Sequence, residues 1–228
     1  MSIWARIADA LSALAAGEGL SAVFDRLRSA PERSVGFTIA VIALGAKMAK
    51  ADGEVTRDEV TAFRQVFAIP EGEEANAARV FNLARQDVAG FDAYARKIRA
   101  MFGADDREVL IDLMEGLFHI AVADGSYHDA EDAFLYQVAS VFGLSDGCFR
   151  SLRARFAEGA APDPYAVLGL AENAPIETVR SAWKQAVRDT HPDVMIARGV
   201  PPEAVKLAER RLIAINAAWA EISTKQAA

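Results

Sequence analysis

IETVRSAWKQAVRDTHPDVMIARGVPPEAVKLAERRLIAINAAWAEI, residues 176–222, decides how this chain is read. Its first part places Ile176, Val179, Trp183, Ala186 and Val187 on one helical face, the spacing that buries a stripe against a neighbour. Arg180, Lys184 and Arg188 recur every fourth residue on another face, which makes a basic stripe directed into solvent. Pro175 suits a first helical turn, where its missing N–H is not needed. Pro192 disfavours a helical conformation at His191, so this helix is predicted to end close to Thr190. The stretch from His191 to Pro201 then reads as a connecting corner with turn signals at Gly199 and Pro201. Pro202 opens a second helix, whose Val205, Ala208, Leu212, Ile215, Trp219 and Ile222 alternate steps of three and four. That is the seam of an antiparallel helix pair. The two helices make a hairpin with His191-Pro192-Asp193 at its corner.

A shorter helix precedes the hairpin. Asp163 can cap it, Pro164 fits its first turn, and Tyr165, Val167, Leu168 and Leu170 supply apolar contacts. Four motifs then stand in order: Asp-Pro-Tyr-Ala-Val-Leu-Gly-Leu (163–170), Ala182-Trp183, His191-Pro192-Asp193, and Ile215-Asn216-Ala217-Ala218-Trp219. In order and spacing they resemble the J-domain of DnaJ-type co-chaperones. The 197–203 stretch, Ala-Arg-Gly-Val-Pro-Pro-Glu, is similar to the long corner loop of DjlA-type J-proteins. The resemblance implies docking onto a DnaK-type chaperone and stimulation of its ATP hydrolysis. His191, Pro192 and Asp193 would contact the ATPase domain, and Arg180, Lys184 and Arg188 would supply the basic docking face. Exposed charges of this kind steer encounter and set register more than they add static affinity. Two positions depart from the family pattern: Val194 stands where a Lys usually follows the tripeptide, and Asp189 where a basic residue usually precedes it. Taken without its surroundings, His191 is a helix-terminating residue whose imidazole caps the last carbonyls, and the basic stripe is an ordinary solvated face.

Net charge is −7 over 228 residues, and it is unevenly spread. From Asp163 onward there are eight Lys/Arg and eight Asp/Glu, which leaves seventeen basic against twenty-four acidic groups in the first 162 residues. That balance argues against a general nucleic-acid-binding surface. Few alternating β-branched runs and an abundance of Ala, Leu and Glu point to an all-α fold. Cys148 is the single cysteine, so no internal disulfide forms and a reducing compartment is expected; it reads as a buried structural thiol. With three His and one Cys, a zinc site at His191 is not expected. The Cys-x-x-Cys repeats and Gly/Phe-rich linker of full-length DnaJ are missing from this sequence.

DjlA-type proteins typically carry an N-terminal transmembrane segment. Residues 1–24 contain Arg6, Asp9 and Glu18, and the apolar run from Val35 to Ala46 spans only twelve residues, short of the roughly 20 that cross a bilayer. Neither reads as a cleaved signal peptide. The expectation is a cytoplasmic protein without membrane association. Ile3, Trp4, Ile7, Leu11 and Leu14 form one stripe, which packs on the rest of the domain, dimerises or touches a membrane surface.

The front of the chain carries an internal duplication. Ala51-Asp52-Gly53 with Glu59 reappears as Ala123-Asp124-Gly125 with Glu131, seventy-two residues on. Each copy reads as a helix ending at Asp-Gly and a new helix beyond it, with Phe63, Val66 and Phe67 in the first and Leu135, Val138 and Val141 in the second. Between the copies Phe91, Tyr94, Ala95, Ile98, Met101 and Phe102 trace another helical face. A helical bundle follows, and the pattern resembles the TerB-like family, named from tellurite-resistance proteins. Residues 1–29 are then an amphipathic helical segment, 30–157 a TerB-like domain, 158–162 a linker and 163–228 the J-domain.

Two readings of the Asp-Gly repeats stand side by side. Asp52, Glu54 and Asp124 are oxygen donors suited to a hard divalent cation, although neither copy has the alternating ligands of an EF-hand loop and Ser126 replaces the counterpart of Glu54. Alternatively Gly53 and Gly125 supply C-terminal turns, and Thr56 with Glu59 makes a capping box. His119 lies on an apolar helical face and is expected to be a packed core residue; His128 is expected at a helix start. No nucleophile–base pair, phosphate loop or metal triad is legible, so no chemistry of its own is expected, nor any obligatory cofactor. The sequence reads as a co-chaperone whose TerB-like part selects client, location or stimulus, or alternatively as a stress or divalent-metal sensor with a degenerate J-like hairpin. The client is not legible.

Overall fold

A run of residues that is apolar at nearly every position has no face to offer water, and a helix made from it belongs in the middle of a bundle. Residues 35–46 are such a run. The computed structural model describes residues 3–27, 32–51, 57–66, 69, 72, 74–86, 90–103, 106–157 and 163–227. Among them regular structure is helical, with no strand, and they fall into two compact units, Met1–Ala157 and Glu158–Ala228.

The first unit contains α1 (Ile3–Ala15), α2 (Leu20–Arg26), α3 (Glu32–Ala51), α4 (Arg57–Val66), α5 (Glu74–Gln86), α6 (Phe91–Arg99), α7 (Arg107–Ala121), α8 (Asp129–Phe142) and α9 (Asp146–Ala157). Helix α3 is the axle: residues 35–46 are buried without exception, and α1, α5, α6, α7 and α8 all pack on it. Among the described residues no helix is long and apolar enough to cross a membrane.

The duplication runs further than two helices. α4 and α8 begin at Arg57 and Asp129, α5 and α9 at Glu74 and Asp146, both seventy-two residues apart, and α3 corresponds to α7. Each copy is thus three helices, with α6 between the copies. The copies cross-pack: α4 lies against α7, and α3 against α8. Two glycines allow close approaches, Gly116 of α7 to α4 between the copies and Gly45 of α3 to α4 within the first. A Cβ on Gly116 would stand 2.9 Å from Val66 Cγ1, and one on Gly45 would stand 2.9 Å from Phe63 Cε2, closer than carbon atoms pack.

Of the three outcomes open to the N-terminal stripe, packing on the bundle is the one adopted. Helix α1 lies on α5 and α3 with Ile7, Leu11 and Leu14 buried; the side chains of Ile3 and Trp4 lie outside the described residues. In the apolar sets, Phe63, Val66, Tyr94, Ala95, Ile98, Phe102, Leu135 and Val138 are buried, while Phe91, Met101 and Val141 are half-buried. Phe67 lies outside the described residues.

His119 corrects an expectation. It is exposed, because Glu108, Ile111, Glu115 and His119, three to four residues apart, form the outward stripe of a helix whose other residues after Arg107 are buried. Cys148 is half-buried rather than enclosed, and desolvation there raises its thiol pKa. His128 does stand at a helix start, as the N-cap residue of α8.

The second unit contains α10 (Pro164–Val167), α11 (Ile176–Asp189), α12 (Pro192–Ala197) and α13 (Pro202–Ala227). Helices α10 and α11 both pack on α13. Its core is Leu168, Val179, Ile215, Ala218 and Ile222, flanked by the partly buried Tyr165, Trp183 and Trp219. Along the expected seam of α13, Val205, Ala208, Ile215 and Ile222 are buried, and Leu212 and Trp219 partly so.

Candidate docking corner

Asp163 opens the second unit as a helix cap: its carboxylate accepts from the backbone N–H of Tyr165 at 3.0 Å and of Ala166 at 3.3 Å, satisfying donors that a first turn leaves open. Gly169, at φ +69°, closes α10. Its N–H bonds to the Ala166 carbonyl, and the Leu170 N–H to that of Tyr165, the paired bonds of a Schellman turn.

Helices α11 and α13 are joined through aromatic side chains. The rings of Trp183 and Trp219 stack with centroids 5.1 Å apart and planes 13° from parallel, an offset arrangement that adds to simple burial. The Trp183 indole N–H donates to Asn216 Oδ1 at 3.0 Å. The Arg180 guanidinium lies 5.9 Å from the Trp219 ring centroid, within reach of the ring's negative face. It also pairs with Glu177 at 3.7 Å, an exposed contact of little energetic weight. Arg180, Lys184 and Arg188 are all exposed and line about 12 Å of one helix face.

The corner itself is built by short-range chemistry. Thr190 caps α11, with its N–H bonded to the Ala186 carbonyl. Its buried side chain accepts from Arg211 Nη2 at 3.0 Å, which ties the end of α11 to α13. His191 is extended, at φ −63° and ψ 130°, as a residue before proline should be. Its imidazole does not cap the end of α11. Nδ1 instead accepts the backbone N–H of Asp193 at 3.2 Å, so His191 caps the helix that follows. With Nδ1 used as an acceptor, the neutral ring carries its proton on Nε2.

That following helix, α12, lies within the stretch expected to be an open corner. Pro192 occupies its first position, where proline is favoured. Gly199, at φ +76°, ends it as a second Schellman turn: the Val200 N–H bonds to the Met195 carbonyl at 3.0 Å and the Gly199 N–H to that of Ile196 at 2.9 Å. Met195 and Val200 are buried beneath it. The Asp193 side chain is 87% exposed and that of His191 52%, so both face outward from a corner held at each end. Asp189 accepts from its neighbour Gln185 through both carboxylate oxygens at 2.9 Å, and Val194 is exposed.

Of the candidate cation residues, Asp124 lies among the described residues. Asp52 and Glu54 lie outside the described residues, as do Gly53 and Thr56. Asp124 is exposed, and its Oδ1 accepts the N–H of Ser126 at 2.8 Å, while Gly125 turns at φ +85°. Among the described residues no group of three or more His, Cys, Asp or Glu could hold a metal ion. The described capping interaction belongs to the second copy, where the buried Glu131 accepts the His128 N–H at 2.9 Å. Sequence reasoning passed over this pair because histidine is not a usual cap residue, although the Glu three places on was the available signal.

Comparison with known proteins gives two kinds of relative. The chain is similar to co-chaperone protein DjlA of Photobacterium profundum, 26% identical over 89% of this chain and 82% of that one. It is likewise similar to co-chaperone protein DjlA of Escherichia coli K12, 24% identical over 96% of each chain, and to that of Coxiella burnetii, 26% identical over 77% of this chain and 72% of that one. No solved structure matches. The family model of tellurite resistance protein TerB matches residues 38–154, the stretch from the second turn of α3 into α9. With just over half of its residues inside that match, the chain belongs to the TerB family.

Proposed function

We propose that this protein is a co-chaperone: its second unit is a J-domain that docks on a DnaK-type chaperone and stimulates its ATP hydrolysis, while the TerB domain selects client, location or stimulus. It acts by binding, with no chemistry of its own, and works in the cytoplasm. The observation that carries this reading is the construction of the corner. Outward-facing His191 and Asp193 are held between Thr190, anchored by Arg211, and the Schellman turn at Gly199, beside a basic helix face that is itself braced by the Trp183–Trp219 stack. Such a rigid, charged, exposed corner loses little freedom when a partner covers it. Similarity to DjlA co-chaperones over most of the chain supports the same reading.

The test is single-turnover ATP hydrolysis by a DnaK-type chaperone. Wild-type protein should accelerate it, and His191→Gln and Asp193→Asn should not. Charge reversal at Arg180, Lys184 and Arg188 together should slow association about 10- to 100-fold at low salt, with the difference shrinking as salt screens the field. If wild type accelerates hydrolysis no more than the His191 and Asp193 variants do, the co-chaperone function is wrong.

A further inference from the structure

Asp193 does not stand alone on the outer face of α12. Residues three and four places on share a helical face, with Cβ atoms about 5–6 Å apart, and the residues there are Ile196 and Ala197. Both are exposed, Ile196 at 59%. Met195 turns the opposite way and is buried, which fixes the rotation of this short helix. A protein surface that reaches the Asp193 carboxylate at hydrogen-bond distance, about 3 Å, therefore lies over Ile196 as well. On the other flank Val194 is 37% exposed. The corner thus presents one carboxylate set in an apolar rim, with the nearest basic group of this segment at Arg198.

We propose that Ile196 is an apolar contact of the docking corner, seated in a hollow of the DnaK-type ATPase domain beside the group that receives Asp193. This rests on the co-chaperone reading and adds to it the chemistry of the partner's surface: an apolar depression next to a hydrogen-bonding or cationic site. The residues after the tripeptide then contribute buried hydrocarbon rather than a screened charge. This makes docking less dependent on salt at this point of the interface.

The experiment compares full-length wild type, Ile196→Ser, Ile213→Ser and Asp193→Asn in single-turnover hydrolysis over a range of co-chaperone concentration, with sedimentation velocity of each chain alone. Ile213, on α13, is 71% exposed and controls for loss of surface hydrophobicity in general. Ile196→Ser should raise the half-maximal concentration about ten-fold and leave the maximal stimulation intact, while Ile213→Ser matches wild type and Asp193→Asn fails at every concentration. The inference is overturned if Ile196→Ser matches wild type while Asp193→Asn fails, or if Ile213→Ser weakens stimulation equally. It is also overturned if wild type self-associates and Ile196→Ser does not, since the face would then be a contact between copies. Failure of the underlying co-chaperone reading looks different: wild type and Asp193→Asn would give the same rate.

Discussion

Val179→Ala tests whether the second unit is held together as its geometry implies. Val179 is 0% exposed and is the buried residue of α11, packed into the cluster of Leu168, Ile215, Ala218 and Ile222. Truncation removes two methyl groups, about 1.6 kcal/mol of transfer free energy. The cavity left behind adds roughly another 1 kcal/mol, for a total of about 2–3 kcal/mol. A unit of this size holds only about 3–5 kcal/mol in all, so the substitution removes half or more of its stability. With a urea dependence near 1 kcal/mol/M for so small a unit, its transition should move down by about 2–3 M. Tryptophan fluorescence reads it well, because Trp183 and Trp219, stacked at the α11–α13 seam, are two of the three tryptophans. The control is Thr178→Ala, next in sequence and exposed, expected to shift the midpoint by less than about 0.5 M. Equal shifts for the two variants would refute the core assignment.

Two further outcomes concern the TerB domain. Glu131→Ala should cost about 1–3 kcal/mol in calorimetric unfolding, because it strands the His128 N–H and a buried cap; Glu131→Gln, which keeps an acceptor, should cost less, and a wild-type midpoint for the alanine variant would rule the cap out. Gly116→Ala should cost about 1–3 kcal/mol by driving a Cβ onto Val66. A double-mutant cycle with Val66→Ala should recover part of that loss, and strict additivity would show that the two sites do not meet.

The corner was legible from the sequence where the chemistry is local and periodic. Proline at 192 marks the end of α11, and the three–four spacing of α13 marks its buried seam. Helix α12 was missed because the same proline was read only as a terminator. Proline also starts helices, and the cap in front of it is a histidine, which no simple cap rule anticipates. His119 was misplaced because an apolar window conceals a single outward stripe: Glu108, Ile111, Glu115 and His119 are spaced as a face, but only tertiary contacts say which face is wet. The repeat showed itself in the Asp-Gly motifs of its first two helices. The third pair, α5 and α9, shares little sequence, and its equivalence rests on position alone. Cross-strung packing of α4 on α7 and α3 on α8 had no sequence signal, because like halves carry like apolar faces and the pattern does not name its partner.

That cross-packing has a consequence for how the TerB domain behaves when heated. α4 lies against α7 and α3 against α8, and α6 packs on both α3 and α8 with Tyr94, Ala95 and Ile98 buried. A half by itself would leave in water the apolar faces that the other half covers, so the two copies should melt in one transition rather than two.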